Sequence, residues 1–333
     1  MILVTGATGH IGNVLVRQLV NNGYRVRAMV LPGEDVTPIS DVNVEIVTGD
    51  VTRPETLEPA FADVEGVFHL AGIISILPGD NPIVDKVNVQ GTKNMLDLAI
   101  KYHVKRFLYT SSIHAIKRIP VGTVIDENVP FDPQATVASY DRSKSRASLA
   151  VLEAVEKGLD AVIVCPTGVI GPYDYRLSEM GSLLKDWIEN PVNFIIDGEY
   201  DFVDVRDVVD GMVRAYEKGK SGHTYILSGQ AIQVPQLLRL VKEILNVRPH
   251  PIKIPVKIAL AFSRLTPFFC KLTHSRPRFT TYSIETLNTN SDISSAKAQR
   301  ELGYRPRLLV NTIRDTVEWL LANARLFKKG AKA

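Results

Sequence analysis

Tyr140 and Lys144 are the most chemically pointed pair in this chain. A phenol with a pKa of about 10 is a poor acid or base at neutral pH unless a neighbouring cation lowers that value. A lysine four residues later on a helix lies on the same face and can supply the charge. The spacing occurs twice, at Tyr140–Lys144 and Tyr216–Lys220, and in a chain with 11 tyrosines it carries little by itself. The second copy runs into Gly219 and reads as a charged helix terminus. The first opens a helix-length segment 28 residues after Ser112, in a run Thr110-Ser111-Ser112 that ends a strand. Read alone, these serines are strand-end caps; beside a tyrosine and a lysine they become hydrogen-bond donors for a reacting oxygen. Ser111 rivals Ser112 for that place. His114 lies two residues further on, and a lone histidine there is assigned no chemistry.

A second constellation sits at the start of the chain. The run Thr5-Gly6-Ala7-Thr8-Gly9-His10-Ile11-Gly12 follows a β-branched stretch and precedes an amphipathic one. Gly6 permits a sharp strand-to-helix turn, Gly9 lets backbone approach a pyrophosphate, and Gly12 lets the helix pack close to the sheet. The phosphates would meet free N–H groups and the positive end of the helix dipole. In this strand–turn–helix setting the glycines predict dinucleotide binding.

The elements that must position these groups follow from the hydrophobic pattern. Runs at Ile2–Thr5, Arg25–Val30, Val44–Val47, Gly66–Leu70, Arg106–Thr110 and Ala161–Cys165 read as strands, with helices near 11–22, 54–62, 83–102 and 139–157. The alternation predicts a doubly wound α/β fold with a parallel sheet across residues 1–165. Residues 166–333 mix strand-like pieces (Phe194–Ile196, Thr224–Leu227) with helices near 207–217, 235–246 and 310–325, predicting a smaller, discontinuous substrate region from which some segments return to the sheet. Pro255–Thr273 reads as one or two amphipathic helices, and the tail from Lys328 as frayed.

The glycine spacing resembles that of the extended short-chain dehydrogenase/reductase superfamily, the NAD-dependent epimerase/dehydratase family. Further motifs resemble it in order: Gly49-Asp50-Val51, His69-Leu70-Ala71-Gly72, Asn88-Val89-Gln90-Gly91-Thr92, Ile125-Asp126-Glu127 with Pro130, and Leu302-Gly303-Tyr304 with Pro306. The likeness is greatest to the dihydroflavonol 4-reductase and 3β-hydroxysteroid dehydrogenase branch, carried by Gly23–Ala28, Phe107–Ser112 and Phe202–Val208. It implies a Rossmann fold in which Ser112 orients a carbonyl, Tyr140 is the acid/base, and Lys144 binds ribose hydroxyls and depresses the tyrosine pKa. It implies cofactor contacts at Gly6, Thr8, Gly9, His10, Ile11, Gly12, Asp50, Val51, Leu70, Ala71, Gly72, Tyr140, Lys144, Pro166 and Val169. It also implies a homodimer through the tyrosine-bearing helix and the helix near 83–102.

The expected activity is NAD(P)-dependent interconversion of a ketone or aldehyde with an alcohol on an apolar small molecule, with Ile258, Leu260, Phe262, Phe268 and Phe269 as apolar substrate-side residues. A nucleotide-sugar epimerase or dehydratase with firmly held NAD, and a non-catalytic dinucleotide sensor, stand as alternatives. The epimerase reading is weakened because Tyr200 precedes Asp201-Phe202 where such enzymes place a diphosphate-gripping arginine, although Arg206, Arg276 or Arg278 could substitute. The resemblance favours NADP(H), yet the second strand ends Ala28-Met29-Val30-Leu31-Pro32 with neither the acid nor the cation that discriminates the cofactors. Arg27, Glu34 and Asp35 are the groups nearby.

Composition bounds the rest. The chain has 333 residues, 45% hydrophobic and 23% charged, which excludes disordered and collagen-like classes. Two cysteines are too few for a disulfide framework or a cysteine-built zinc site, so no metal is expected. The absence of a span of roughly 18 to 20 apolar residues and of a basic leader predicts a cytoplasmic protein. Net charge divides unevenly: residues 1–165 hold 15 Lys/Arg against 19 Asp/Glu, and residues 166–333 hold 24 against 17. Nine cations face the single acid Glu243 within 239–278. That stretch reads as a solvated basic surface or an attractor of anions; with no recognition motif or aromatic platform, nucleic acid is not an expected partner.

Overall fold

Each β-branched run of the first half pairs with its neighbours into one sheet. A computed structural model describes residues 1–75, 79–136, 138–263 and 280–328. Val137, Arg264, Phe268, Phe269, Cys270, Lys271, Arg276, Arg278 and the tail from Lys329 lie outside the described residues, as does the side chain of Phe262. The strands are β1 (Ile2–Thr5), β2 (Val26–Val30), β3 (Glu45–Thr48), β4 (Gly66–His69), β5 (Arg106–Thr110), β6 (Ala161–Pro166), β7 (Gly168–Ile170), β8 (Val192–Ile195), β9 (Glu199–Asp204), β10 (Thr224–Leu227), β11 (Gln230–Gln233) and β12 (His250–Lys253). The helices that bear on the site are α1 (His10–Asn21), α2 (Pro82–Asp85), α3 (Gly91–Lys101), α4 (Ser139–Glu156), α5 (Glu179–Glu189) and α6 (Val205–Lys218); α7 (Val234–Ile244) and α8 (Val256–Ser263) follow.

Seven strands make a parallel sheet in the order β10-β6-β5-β4-β1-β2-β3. The protein thus has a doubly wound Rossmann fold, with strand order reversing between β1 and β4, where open sheets bind ligands. Central strands are hydrophobic without alternation because both faces are covered: β4, β6 and β1 are buried at every residue. One face packs on α3 and α4 through Met95, Phe107, Ala147 and Val151. The other packs on α1 and α6 through Leu15, Phe68, Val208 and Met212, and is completed by Leu227, Leu302 and Tyr304. Strand β10 and the helix Ala296–Leu302 therefore return to the sheet from late in the chain. A separate core gathers Trp187, Leu237, Leu238, Ile313 and Val317 around the small sheet β11-β9-β7.

Two expected helices come out differently. Residues 54–62 form two 3₁₀ turns, Pro54–Thr56 and Glu58–Phe61, because Pro59 lacks the N–H that a continuous helix would bond to the Glu55 carbonyl and its ring crowds that carbonyl. Residues 83–102 contain a π-helical turn, Lys86–Gln90, between α2 and α3.

The turn from β1 into α1 is close-packed. Gly6 has φ +66°, and a Cβ on Gly12 would fall on the Gly6 carbonyl oxygen and 2.9 Å from Ala7 Cα. At Gly9 the nearest obstacle, Gly6 O, is 3.3 Å away. Gly12→Ala is therefore expected to cost more than about 2 kcal/mol of stability, because backbone must move, and Gly9→Ala less than about 1 kcal/mol. Thermal melts of the two variants check this; equal losses would contradict it.

Candidate active site

At the switch point α1 begins without a side-chain cap on Gly9 and without an acid in its first turn. Its first N–H groups are the unpaired donors a helix start always leaves. The cradle fits a dinucleotide pyrophosphate. Sequence-predicted His10, Ile11 and Gly12 form this first turn; His10 Nε2 also meets the Pro172 carbonyl at 3.0 Å.

A hydrogen-bond chain locks the neighbouring strand ends together. Thr5 Oγ1 accepts from the N–H of Leu70 and Ala71 at 3.1 and 3.0 Å, so its proton goes to His69 Nδ1 at 2.8 Å. Thr92 Oγ1 donates to the Asn88 carbonyl at 2.6 Å and so accepts from His69 Nε2 at 3.0 Å. Donor counting thus assigns His69 the Nε2–H tautomer, and burial with the nearby Lys144 charge pulls its pKa down to about 3. The π turn aims Asn88 inward, where it bonds both N–H and C=O of Ile73 and reaches Ser143 Oγ at 2.9 Å. Asn88 therefore fastens the loop after β4, which carries Gly72, to the helix bearing Tyr140. A π bulge in this place fits the tendency of such bulges to lie at functional sites.

The structure brings Ser112, Tyr140 and Lys144 together at the carboxyl end of β5, each less than 8% exposed. Lys144 Nζ donates to the Thr110 carbonyl at 2.7 Å and lies 5.0 Å from the centre of the Tyr109 ring. Burial pulls its pKa down to about 8. Burial pushes Tyr140 up to about 12, opposed by a hydrogen bond from Ser112. Desolvation of the phenolate is the largest influence on the tyrosine, and the phenol keeps its proton at neutral pH. Ser111 turns away to bond Ser148 Oγ at 2.7 Å, on the helix side, whereas Ser112 faces the tyrosine.

Around the phenol stands a set of groups that local sequence patterns do not reveal. The His114 ring lies 6.4 Å from Tyr140, 5.9 Å from Tyr200 and 5.7 Å from Tyr282, and its Nε2 is 2.7 Å from Tyr200 Oη. Buried Asp141 accepts from Tyr282 at 2.7 Å and pairs with Arg118 at 3.4 Å. Tyr282 is 141 residues from its carboxylate partner, so no spacing rule could have joined them. His114, Tyr200 and Arg118 also line a cavity of about 260 Å³ with Ile113, Ile116 and Ile119.

The remaining sequence-predicted residues are placed as follows. Asp50 follows β3 and spends Oδ1 on Thr52 at 2.8 Å; Val51 is buried, with its carbonyl held by Asn94 at 2.7 Å. Pro166 ends β6 and Val169 lies in β7. Ile258 is 48% exposed and Leu260 packs near Ile196 and Ile284, so neither lines the His114 cavity. Tyr216 packs on Phe68 against Gly66, the amino end of β4, at the opposite edge of the sheet. The second Tyr-x-x-x-Lys is structural.

A lysine whose pKa is lowered on folding binds its proton more weakly in the folded chain. Between about pH 8 and the unfolded value of 10.5 the unfolded chain holds more protons, so stability rises with pH there. Lys144→Met removes the buried charge at the loss of one hydrogen bond and is expected to stabilise the protein by about 1–3 kcal/mol at pH 7. That gain should shrink as pH rises from about 8 to 10, and denaturant melts across that range measure it. A gap that stays constant with pH would refute the buried-charge account.

The sequence profile of the NAD dependent epimerase/dehydratase family matches residues 2–228. Sterol demethylase protein B of Methylococcus capsulatus is 33% identical over 323 residues, covering 95% of this chain and 97% of that protein. Sterol-4-alpha-carboxylate 3-dehydrogenase, decarboxylating, of Candida albicans is 27% identical over 351 residues, covering 96% and 97%. The crystal structure of gox2253 superposes with a TM-score of 0.84 at 32% identity, over 98% of this chain and 99% of that one. With two thirds of its length matched by the family profile and nearly all of it by a relative one third identical, the chain belongs to the NAD dependent epimerase/dehydratase family.

Proposed function

We propose that this protein is an NAD(P)-dependent oxidoreductase that interconverts a carbonyl and an alcohol on an apolar small molecule. The observation that carries the reading is the convergence of Ser112, Tyr140 and Lys144 at the carboxyl edge of the sheet, beside a helix start able to hold a pyrophosphate. The nicotinamide, when bound, supplies or takes the hydride. Tyr140 holds the proton destined for the substrate oxygen, and its raised pKa keeps that proton in place at neutral pH. Ser112 fixes the oxygen by a hydrogen bond, and Lys144 offers its remaining donors to ribose hydroxyls from its seat on the Thr110 carbonyl. His114 and Tyr200 wall the substrate side, where isoleucines favour an apolar ligand; two relatives named for sterols agree with that preference.

The epimerase alternative loses support. Tyr200, at the place of the diphosphate-gripping arginine, is bonded to His114. Arg206 is committed to Asp204 and Asp315 at 2.7 and 2.6 Å. A protein in the cytoplasm is part of the same proposal, and so is a homodimer, which rests on the family resemblance.

Tyr140→Phe is expected to lower carbonyl reduction about 10²- to 10⁴-fold while leaving nicotinamide-nucleotide affinity within roughly threefold, a change of under about 0.7 kcal/mol. Steady-state assays on a ketone and aldehyde panel, paired with fluorescence titration of the reduced cofactor, provide the measurement. Full turnover by the variant would sink the assignment. Nucleotide released on heat denaturation separates the alternatives: an epimerase carries near-stoichiometric NAD through purification, and a reductase does not.

A further inference from the structure

The end of β2 lacks a cofactor-discriminating residue only in sequence. Leu31-Pro32-Gly33-Glu34 forms a tight turn closed by Glu34 N–H to the Leu31 carbonyl at 3.0 Å, with Gly33 at φ +75°. Proline second and a positive-φ glycine third make it a type II turn, which folds residue 34 back onto the strand end. Glu34 Oε2 there accepts the Leu31 N–H at 2.7 Å, and Oε1 accepts Thr8 Oγ1 of the glycine loop at 2.6 Å. The carboxylate occupies the corner between the end of β2 and the glycine loop, where an adenosine ribose lies in this fold.

Across the same corner comes a cation from the other half of the chain. Arg176 Nη2 donates to Glu34 Oε1 at 2.7 Å and to Thr8 Oγ1 at 2.8 Å. Its segment is fixed on both sides. Pro172 and Tyr173 offer carbonyls to His10 and Asn13 at 3.0 and 3.1 Å, Arg17 lies 5.6 Å over the Tyr173 ring, and Asp174 accepts Ser178 N–H and Oγ. Burial would raise the Glu34 carboxyl, and the bonds from Thr8, Leu31 and Arg176 outweigh it, holding the group below the usual carboxylate range. The sequence candidate Arg27 is spent elsewhere, on Glu45 at 2.7 Å and the Ala60 carbonyl at 2.9 Å.

We propose that Glu34 and Arg176 together decide which nicotinamide cofactor this protein accepts: Glu34 takes the 2′-hydroxyl of NAD(H) and repels the 2′-phosphate of NADP(H), and Arg176, reaching over the glycine loop, holds that carboxylate in place. The proposal rests on the oxidoreductase reading and reverses the cofactor preference that family resemblance favours. A 2′-phosphate would have to break the Arg176–Glu34 pair to find a cation and would still face an ionised carboxylate. Arg176 is thus a latch whose release from Glu34 turns it into a phosphate ligand.

Calorimetric titration of the full-length protein with NADH and with NADPH tests this, using wild type, Glu34→Gln, Arg176→Gln and the double variant. Wild type is expected to bind NADH roughly tenfold or more tightly than NADPH. Glu34→Gln, nearly isosteric, should weaken NADH a few-fold and strengthen NADPH, and adding Arg176→Gln should abolish that NADPH gain. Arg176→Gln alone should weaken NADPH more than NADH. Thermal melts confirm that each variant is folded. Wild type binding NADPH as tightly as NADH, or Glu34→Gln shifting both cofactors equally, would overturn the proposal while leaving the oxidoreductase reading intact. Binding of neither dinucleotide to wild type would overturn that reading and the proposal with it.

Discussion

The site is organised around one buried ammonium. Lys144 sits at the carboxyl edge of the sheet, bonded to the last carbonyl of β5 and 5.0 Å from the centre of the Tyr109 ring. Folding pays for its desolvation through cores on both faces of the sheet, and the return is geometric. Because the ammonium is seated on Thr110, the first turns of α4 have one permitted position, and Tyr140 one turn earlier is set opposite Ser112. Ser148, one turn later, donates to the Lys144 carbonyl and draws Ser111 away from the site. The choice between two adjacent serines is thereby made by the same helix that carries the acid.

An acidic half that must hold an anionic cofactor follows the same logic of local fields over net charge. Residues 1–165 carry four more acids than bases, yet the opening of α1 contains no acid, and its unpaired N–H groups present the positive end of the dipole. Glu34 is the carboxylate drawn up to the glycine loop, and it arrives neutralised by Arg176. Net charge is a long-range quantity screened within roughly 10 Å; pyrophosphate binding is decided at hydrogen-bond distance.

Much of this was legible in the sequence, and the illegible parts share a cause. Continuous apolar strands, the glycine turn and the Tyr140–Lys144 spacing are local patterns tied to one backbone geometry each, so they could be read directly. The amphipathic pattern of 54–62 does not make one helix because Pro59 interrupts it. The burial that raises the tyrosine pKa is a tertiary quantity, which no local pattern reports. Tyr282 on Asp141, Arg118 beside them and Arg176 on Glu34 join residues 141, 23 and 142 positions apart. Such pairs are invisible to periodicity. Glu34 lies near the end of β2 in sequence, but its place at the glycine loop depends on the turn that folds it back.

The late segments explain why the site needs the whole chain. Leu227, Leu302 and Tyr304 complete the hydrophobic layer beneath α1 and α6, and Tyr304 Oη donates to the Ser228 carbonyl at 3.0 Å, tying the C-terminal signature to the strand that closes the sheet. Glu127, just before the tyrosine-bearing segment, accepts the Ile226 N–H at 2.8 Å and so fixes that loop to the same strand. From that side come Tyr200 against His114 and Arg176 against Thr8. Residues 1–165 alone would keep the glycine turn and the Tyr140–Lys144 pair but lose the substrate wall, the Arg176 contact across the glycine loop and half of one core layer. The nucleotide cradle and the chemistry are encoded early; their enclosure is supplied by the residues that follow.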